Sequence, residues 1–230
     1  MKILAIILAR GGSKRIPRKN IKDFYGKPII AYSIDAAIKS ECFDTIMCST
    51  DDKEIAEIAT SYGASVPFFR SEANSNDYAT MADVLTEVIN EFENRNLFFD
   101  YFCCIYPTAP FIDSEKLKNG LYEMQKNNAS AAMPVVAFSY PIQRALKITN
   151  GKISMLEEKY LKTRSQDLMK TYHDAGQYYW FETKAFKKEP NIMMLNPIAI
   201  VTPEMEVHDI DSLEDWEVAE LKYSILHKDH

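Results

Sequence analysis

The chain has 230 residues, 47% of them apolar and 26% charged, which are ordinary values for a globular protein with a sizeable core. A formal net charge of -6 argues against general nucleic-acid binding, because phosphate backbones need a basic face. No run approaches the roughly 20 apolar residues of a membrane span. The short apolar start is followed at once by charge, unlike a signal peptide, so a cytosolic protein is expected.

Short apolar runs alternate with amphipathic stretches along the chain. Residues 2–8 read as a buried strand, 29–40 as a helix and 45–49 as a second strand. A helix over 53–62 follows the Asp51-Asp52 cap, and Gly63 sits where it would end in a left-handed turn. Next come a strand at 65–68, a helix at 80–94, a strand at 101–105 and a helix at 115–127 behind Asp113-Ser114. Strands at 131–137, 177–181 and 198–201 and a helix at 212–226 complete the set. This alternation predicts a single α/β domain over 1–230, with a mostly parallel sheet flanked by helices.

Between 139 and 175 the alternation lapses into an irregular excursion, with a hairpin expected about Asn150-Gly151. Such excursions serve as lids or dimer arms, and sequence alone leaves both open. The four cysteines lack C-x-x-C spacing; the adjacent Cys103 and Cys104 read as buried free thiols.

The chemistry is most legible at the end of the first strand. Five cations, Arg10, Lys14, Arg15, Arg18 and Lys19, fall within ten residues around Gly11-Gly12. A glycine-rich loop between strand and helix lets backbone N–H groups approach phosphate oxygens, and cations neutralise their charge. The loop matches neither G-x-x-x-x-G-K-[ST] nor G-x-G-x-x-G, so the common mononucleotide and dinucleotide loops are excluded.

From Ala9 to Asn20 the run A-R-G-G-S-K-R-I-P-R-K-N resembles the loop of the acylneuraminate cytidylyltransferases, which make CMP-activated acidic sugars. Gly26-Lys27-Pro28-Ile29-Ile30 and Ser49-Thr50-Asp51-Asp52 are similar to two further motifs of that family. Arg70 falls in its R-P-x-x-L-x-x-D segment, although Ser71 and Asn74 replace the proline and leucine. The resemblance implies a Rossmann-like nucleotidyltransferase fold and a homodimer exchanging the excursion. It also implies that Leu8, Ala9, Arg10, Gly11, Gly12, Ser13, Lys14, Lys19 and Asn20 wrap CTP. Arg10 and Lys19 would stabilise phosphate charge, Arg70, Ala79 and Thr80 would contact cytosine and ribose, and Asp77 would organise its loop.

Transfer of a nucleotidyl group is mainly positioning and charge neutralisation, in which a divalent metal normally shares. In His208-Asp209-Ile210-Asp211-Ser212, an extended segment puts Asp209 and Asp211 on one face and Ile210 on the other. The pair resembles the family's metal-holding D-I-D, implying Mg²⁺. Ser212 with Asp215 also reads as a near capping box, and both roles are compatible.

On the acceptor side the chain departs from the sialic acid pattern. Tyr106-Pro107-Thr108-Ala109-Pro110 and Tyr172-His173-Asp174-Ala175-Gly176-Gln177 are instead similar to family members that charge pseudaminic acid, a nine-carbon 2-keto acid of bacterial flagellar and surface glycans. Tyr106, Arg164, His173, Asp174 and Gln177 are the candidate sugar contacts, with Arg164 or His173 for the sugar's carboxylate. The rivals are N-acetylneuraminate- or legionaminate-type enzymes, an enzyme charging 3-deoxy-manno-octulosonic acid, and, from another class, a non-catalytic nucleotide-sugar-binding protein.

Overall fold

The computed structural model describes residues 1–228. Its strands are β1 (Ile3–Leu8), β2 (Asp23–Phe24), β3 (Lys27–Pro28), β4 (Thr45–Ser49), β5 (Tyr101–Ile105), β6 (Ala131–Ala137), β7 (Leu146–Thr149), β8 (Lys152–Met155), β9 (Tyr172–Asp174), β10 (Tyr178–Glu182) and β11 (Ile198–Val201). The α-helices are α1 (Ile30–Ser40), α2 (Lys53–Ser61), α3 (Met81–Asn94), α4 (Ser114–Lys126), α5 (Thr183–Lys188) and α6 (Leu213–Leu226). The main sheet runs β11-β6-β10-β5-β1-β4, with β9 also paired to β6. Only β10 on the main path opposes its neighbours, so the sheet is predominantly parallel.

Period-two alternation sorts β1 between two cores. Ile3, Ala5 and Ile7 face Ile30 and Ile34 of α1, Ile55 and Ala59 of α2 and Leu117 of α4. Leu4 and Ile6 face Leu85, Val88, Ile89 and Phe92 of α3 and Phe186 of α5. A third cluster joins Ile16 of the basic loop, Phe24, Tyr32, Ile210 and Trp216. Burial of Ile16 and Ile210 in that cluster fixes the basic loop and the Asp209–Asp211 segment to the same small core, a hydrophobic tie between elements nearly 200 residues apart.

The caps form as expected. Asp52 accepts from Ile55 N at 3.0 Å and Asp113 from Lys116 N at 2.8 Å. Thr80 with Asp83, and Ser212 with Asp215, form reciprocal capping boxes. The expected hairpin is β7–β8, with positive φ at Asn150 (50°) and Gly151 (73°), as a tight two-residue turn demands.

The strand expected at 65–68 is absent. A single bridge joins Met47 to Ser65, and Pro67 then removes the N–H that would extend the ladder. The short β9, at the end of the excursion, has no alternating pattern of its own. It forms because the chain returns antiparallel along β6, then kinks at Ala175-Gly176 before continuing as β10.

Candidate active site

Parallel strands place their C-terminal ends together, and the loops after β1, β4 and β5 meet there. The basic loop is anchored by Ala9 N donating to Ser49 O at 3.0 Å and by Gly11 N donating to Asp51 Oδ1 at 2.8 Å. Arg18, at φ 56°, clasps Asp52 at 2.6 and 2.9 Å and Glu54 at 2.5 Å, tying the loop to the start of α2. Asn20 is buried, and its Nδ2 donates to Arg10 O at 2.8 Å, so it also orients the chain at Arg10.

These ties shape a cleft of about 470 Å³ lined by Leu8, Arg10, Ser13, Lys14, Arg15, Lys19, Asn20, Arg70, Asp77, Tyr106, Pro107, Thr108 and Asp211. Asp77 bridges its cations, accepting from Arg10 at 2.7 Å and also from Lys14. Those two cations hold the Asp77 carboxyl below the usual carboxylate range. Arg70 donates to Ser49 Oγ at 3.1 Å and Ser49 O at 2.7 Å, and desolvation draws its pKa down. Lys19 donates to Ile210 O at 2.7 Å and stands 3.6 Å from Asp211, which Arg15 also pairs at 2.8 Å.

A second cleft of about 530 Å³ opens beyond Tyr106, against the kink between β9 and β10. His173, Asp174 and Tyr179 line it, together with Asp209 and His208. Asp174 is fixed by Tyr179 Oη at 2.8 Å and Gly176 N at 2.8 Å. His173 Nδ1 lies 2.8 Å from Asp174 O, and its ring packs 4.7 Å from Phe138. Burial pushes the Tyr106 hydroxyl up to about 12, so it is a neutral hydrogen-bond partner, not a base.

Ile210 is buried at 1% exposure while its neighbours reach the clefts, Asp211 in the first and Asp209 in the second. Burial, then the charge of Asp211, push the Asp209 carboxyl above its ordinary value. Among the described residues no group of three or more His, Cys, Asp or Glu is placed to hold a metal ion, so a cation at Asp209 and Asp211 would need phosphate and water oxygens to complete its shell. Among the described residues Asp209 has no ion-pair partner, whereas Arg15 and Lys19 already flank Asp211.

Of the residues nominated from sequence, Leu8, Arg10, Ser13, Lys14, Lys19, Asn20, Arg70 and Tyr106 converge on the first cleft, and Tyr106, His173, Asp174 and Asp209 on the second. Ala9 is buried, and the Gly11 amide is spent on Asp51. Gly12 is exposed at the rim. Thr80 is occupied in capping α3, and Ala79 N donates to Asn76 Oδ1 at 3.0 Å; neither lines the cleft. Gln177 is turned inward at 2% exposure, donating to Glu206 O at 2.7 Å, because the kink rotates it behind the wall it was expected to form. Arg164 lies outside both clefts, exposed on the excursion and paired with Asp167 at 2.7 Å. Sequence reading did not nominate Ser139, Glu204 and Lys222, which long-range packing brings to the second cleft without any motif, nor His208, which enters it beside Asp209. Arg15 and Arg18 were visible in the basic run, but no spacing rule separates an ion-pairing cation from a phosphate-binding one.

A mostly parallel sheet with a cationic glycine loop at its C-terminal edge, facing a carboxylate pair, defines a nucleotidyltransferase. The chain belongs to the cytidylyltransferase family, whose model matches residues 4–217. It is 44% identical over 229 residues to the pseudaminic acid cytidylyltransferase of Campylobacter jejuni, covering 99% of each chain. It is also 32% identical to the CMP-N,N'-diacetyllegionaminic acid synthase of Legionella pneumophila, over 96% of this chain and 95% of that one. Among solved structures, a CMP:2-keto-3-deoxy-manno-octonic acid synthetase complexed with CTP shares the fold at TM-score 0.71 and 17% identity, covering 98% of this chain and 100% of the other. The 4-diphosphocytidyl-2C-methyl-D-erythritol synthase of Anaerococcus prevotii follows at TM-score 0.65 and 15% identity, over 97% and 98%.

Proposed function

We propose that this enzyme couples CTP to pseudaminic acid, giving the CMP-sugar and pyrophosphate for surface or flagellar glycans. The observation that carries the reading is the junction of the two clefts, which share Tyr106 and divide Asp211 from Asp209 across the single residue Ile210. A triphosphate among Arg10, Lys14, Arg15 and Lys19 would present its α-phosphorus at that junction, where a sugar hydroxyl from the second cleft can attack. Lys19 and Arg10 would offset the charge that develops on the phosphates as pyrophosphate leaves. Asp209 and Asp211 would hold Mg²⁺, which neutralises phosphate charge and favours loss of pyrophosphate. The 44% identical C. jejuni relative supports the choice of sugar.

A homodimer through the excursion belongs to the same proposal. Tyr140 (85% exposed), Ile148 (74%), Ile153 (68%) and Met169 (76%) leave a large apolar surface on residues 138–172, of the kind that marks a protein interface. The four free thiols suit a reducing cytoplasm.

The test is pyrophosphate release from CTP and Mg²⁺ with pseudaminic acid, N-acetylneuraminic acid and 3-deoxy-manno-octulosonic acid in parallel. Release with pseudaminic acid in clear preference supports the reading. Preference for another acid overturns the sugar but not the reaction, and CTP binding without release for any acid favours a nucleotide-sugar-binding protein.

A further inference from the structure

A pocket that receives an acidic sugar beside a triphosphate must counter the sugar's own carboxylate. The second cleft is poor in cations for that task. Among the described residues lining it, Lys222 is the one lysine or arginine, against the carboxylates of Asp174, Glu204 and Asp209. Within the same chain Arg164, expected from sequence to meet the carboxylate, lies outside this cleft on the exposed excursion and is paired with Asp167.

Lys222 is held in an unusual way for a surface-derived lysine. It projects from α6, is half-buried, and donates to Glu204 O at 3.1 Å and to Val207 O at 2.9 Å. Two neutral carbonyls fix the ammonium without cancelling its charge. The neighbouring acids are engaged differently: Glu204 accepts from Ser139 Oγ at 2.8 Å, and Asp174 accepts from Tyr179 and Gly176. No described carboxylate lies within ion-pair distance of Lys222, and an ammonium has three donors, so one N–H is left for a ligand. Its anchor Val207 is two residues from Asp209, about 7 Å along extended chain, so the ammonium sits near the reacting end of the cleft. In a 2-keto acid the carboxylate is bonded to the same carbon as the attacking hydroxyl, and the two must be recognised close together.

We propose that Lys222 is the carboxylate anchor of the acceptor site, fixing the acidic sugar so that its anomeric hydroxyl faces the α-phosphorus. The inference rests on the proposed reaction and adds a specificity-determining residue to it. A lysine already immobilised by backbone carbonyls loses little further freedom on binding, which favours recognition of the acid over an uncharged analogue.

The experiment measures pyrophosphate release by full-length enzyme with CTP, Mg²⁺ and pseudaminic acid, with the C1-amide of the same sugar as competing inhibitor. Wild type, Lys222→Gln and Lys222→Arg are compared. Lys222→Gln keeps N–H donors for the two carbonyls but loses the charge. The expected result is a KM for the acid raised about ten- to hundred-fold in Lys222→Gln, the scale of a charged hydrogen bond. The KM for CTP and the inhibition constant of the amide should hold, and Lys222→Arg should recover most of the acid preference. A Lys222→Gln enzyme that still prefers acid to amide as wild type does overturns the assignment. So does a parallel loss of CTP affinity and melting temperature in both variants, which would mark Lys222 as a structural strut. Wild type inactive with pseudaminic acid would overturn the underlying reading as well, so the two failures are distinguishable.

Discussion

Arg18 and Asp52 form a two-pronged ion pair, at 2.6 and 2.9 Å, that joins the basic loop to the N-terminus of α2. Asp52 thereby does two jobs, since it also caps the helix through Ile55 N. The hydrogen bonds from Arg18, more than the backbone donors, hold its carboxyl down to about 2 against an ordinary 3.8. A depressed carboxyl stabilises the fold fully above its ordinary value and loses that contribution as pH falls through its folded value. Asp52→Ala should therefore cost about 1–2 kcal/mol at neutral pH, through the lost pair with Arg18 together with the lost cap. The gap between variant and wild type should close between pH 4 and pH 2, as read by denaturant melts.

The two loop glycines should separate cleanly. A Cβ on Gly11 would stand 2.8 Å from Asp52 Oδ2 and 3.0 Å from Asp52 Cβ, pushing on the carboxylate that Arg18 holds. A Cβ on Gly12 would meet nothing within 4 Å. Gly11→Ala should lower the melting temperature measurably, whereas Gly12→Ala should melt as wild type. If the phosphates approach the Gly12 backbone, Gly12→Ala will still weaken CTP binding in calorimetry; unchanged affinity would remove Gly12 from the nucleotide site.

The fold and the nucleotide side were legible because local rules govern them. An apolar strand running into Ala9–Asn20, Asp and Ser caps, and the i, i+2 pair about Ile210 are all encoded within a few residues of one another. The acceptor side obeys no such rule. Gln177 was misplaced because its direction depends on a three-residue kink between β9 and β10, visible only in the register of both against β6. Lys222 reaches the cleft through the packing of α6, whose periodicity shows Trp216 and Ala219 facing the core but not where the next lysine points, and Glu204 reaches it on the 204–206 turn after β11.

Asp77 occupies the two cations that a triphosphate would need, bridging Arg10 at 2.7 Å and Lys14. Both partners are substantially exposed, so the pairing is weak and phosphate oxygens can displace it. Asp77→Asn should strengthen CTP binding a few-fold in a metal-free titration and make it more sensitive to salt, because the freed cations of Arg10 and Lys14 then attract the phosphates without an internal competitor. Weaker binding in that variant would show that Asp77 organises its loop for the nucleotide instead of competing with it.

Lys19 is the least replaceable cation in the loop. Its side chain is only 20% exposed, and its ammonium donates to Ile210 O at 2.7 Å while standing 3.6 Å from Asp211. It therefore links the basic loop to the carboxylate segment, and in the proposed reaction it would also carry charge toward the leaving pyrophosphate. Lys19→Ala should lower kcat about 100-fold or more, the scale for removing one preorganised donor to developing charge. Lys19→Arg should restore little, because a planar guanidinium cannot reproduce a single ammonium contact with Ile210 O in a tight site. Initial rates with both substrates saturating decide the matter. A Lys19→Arg enzyme near wild-type kcat would mean that charge alone is required there and that the bond to Ile210 is dispensable.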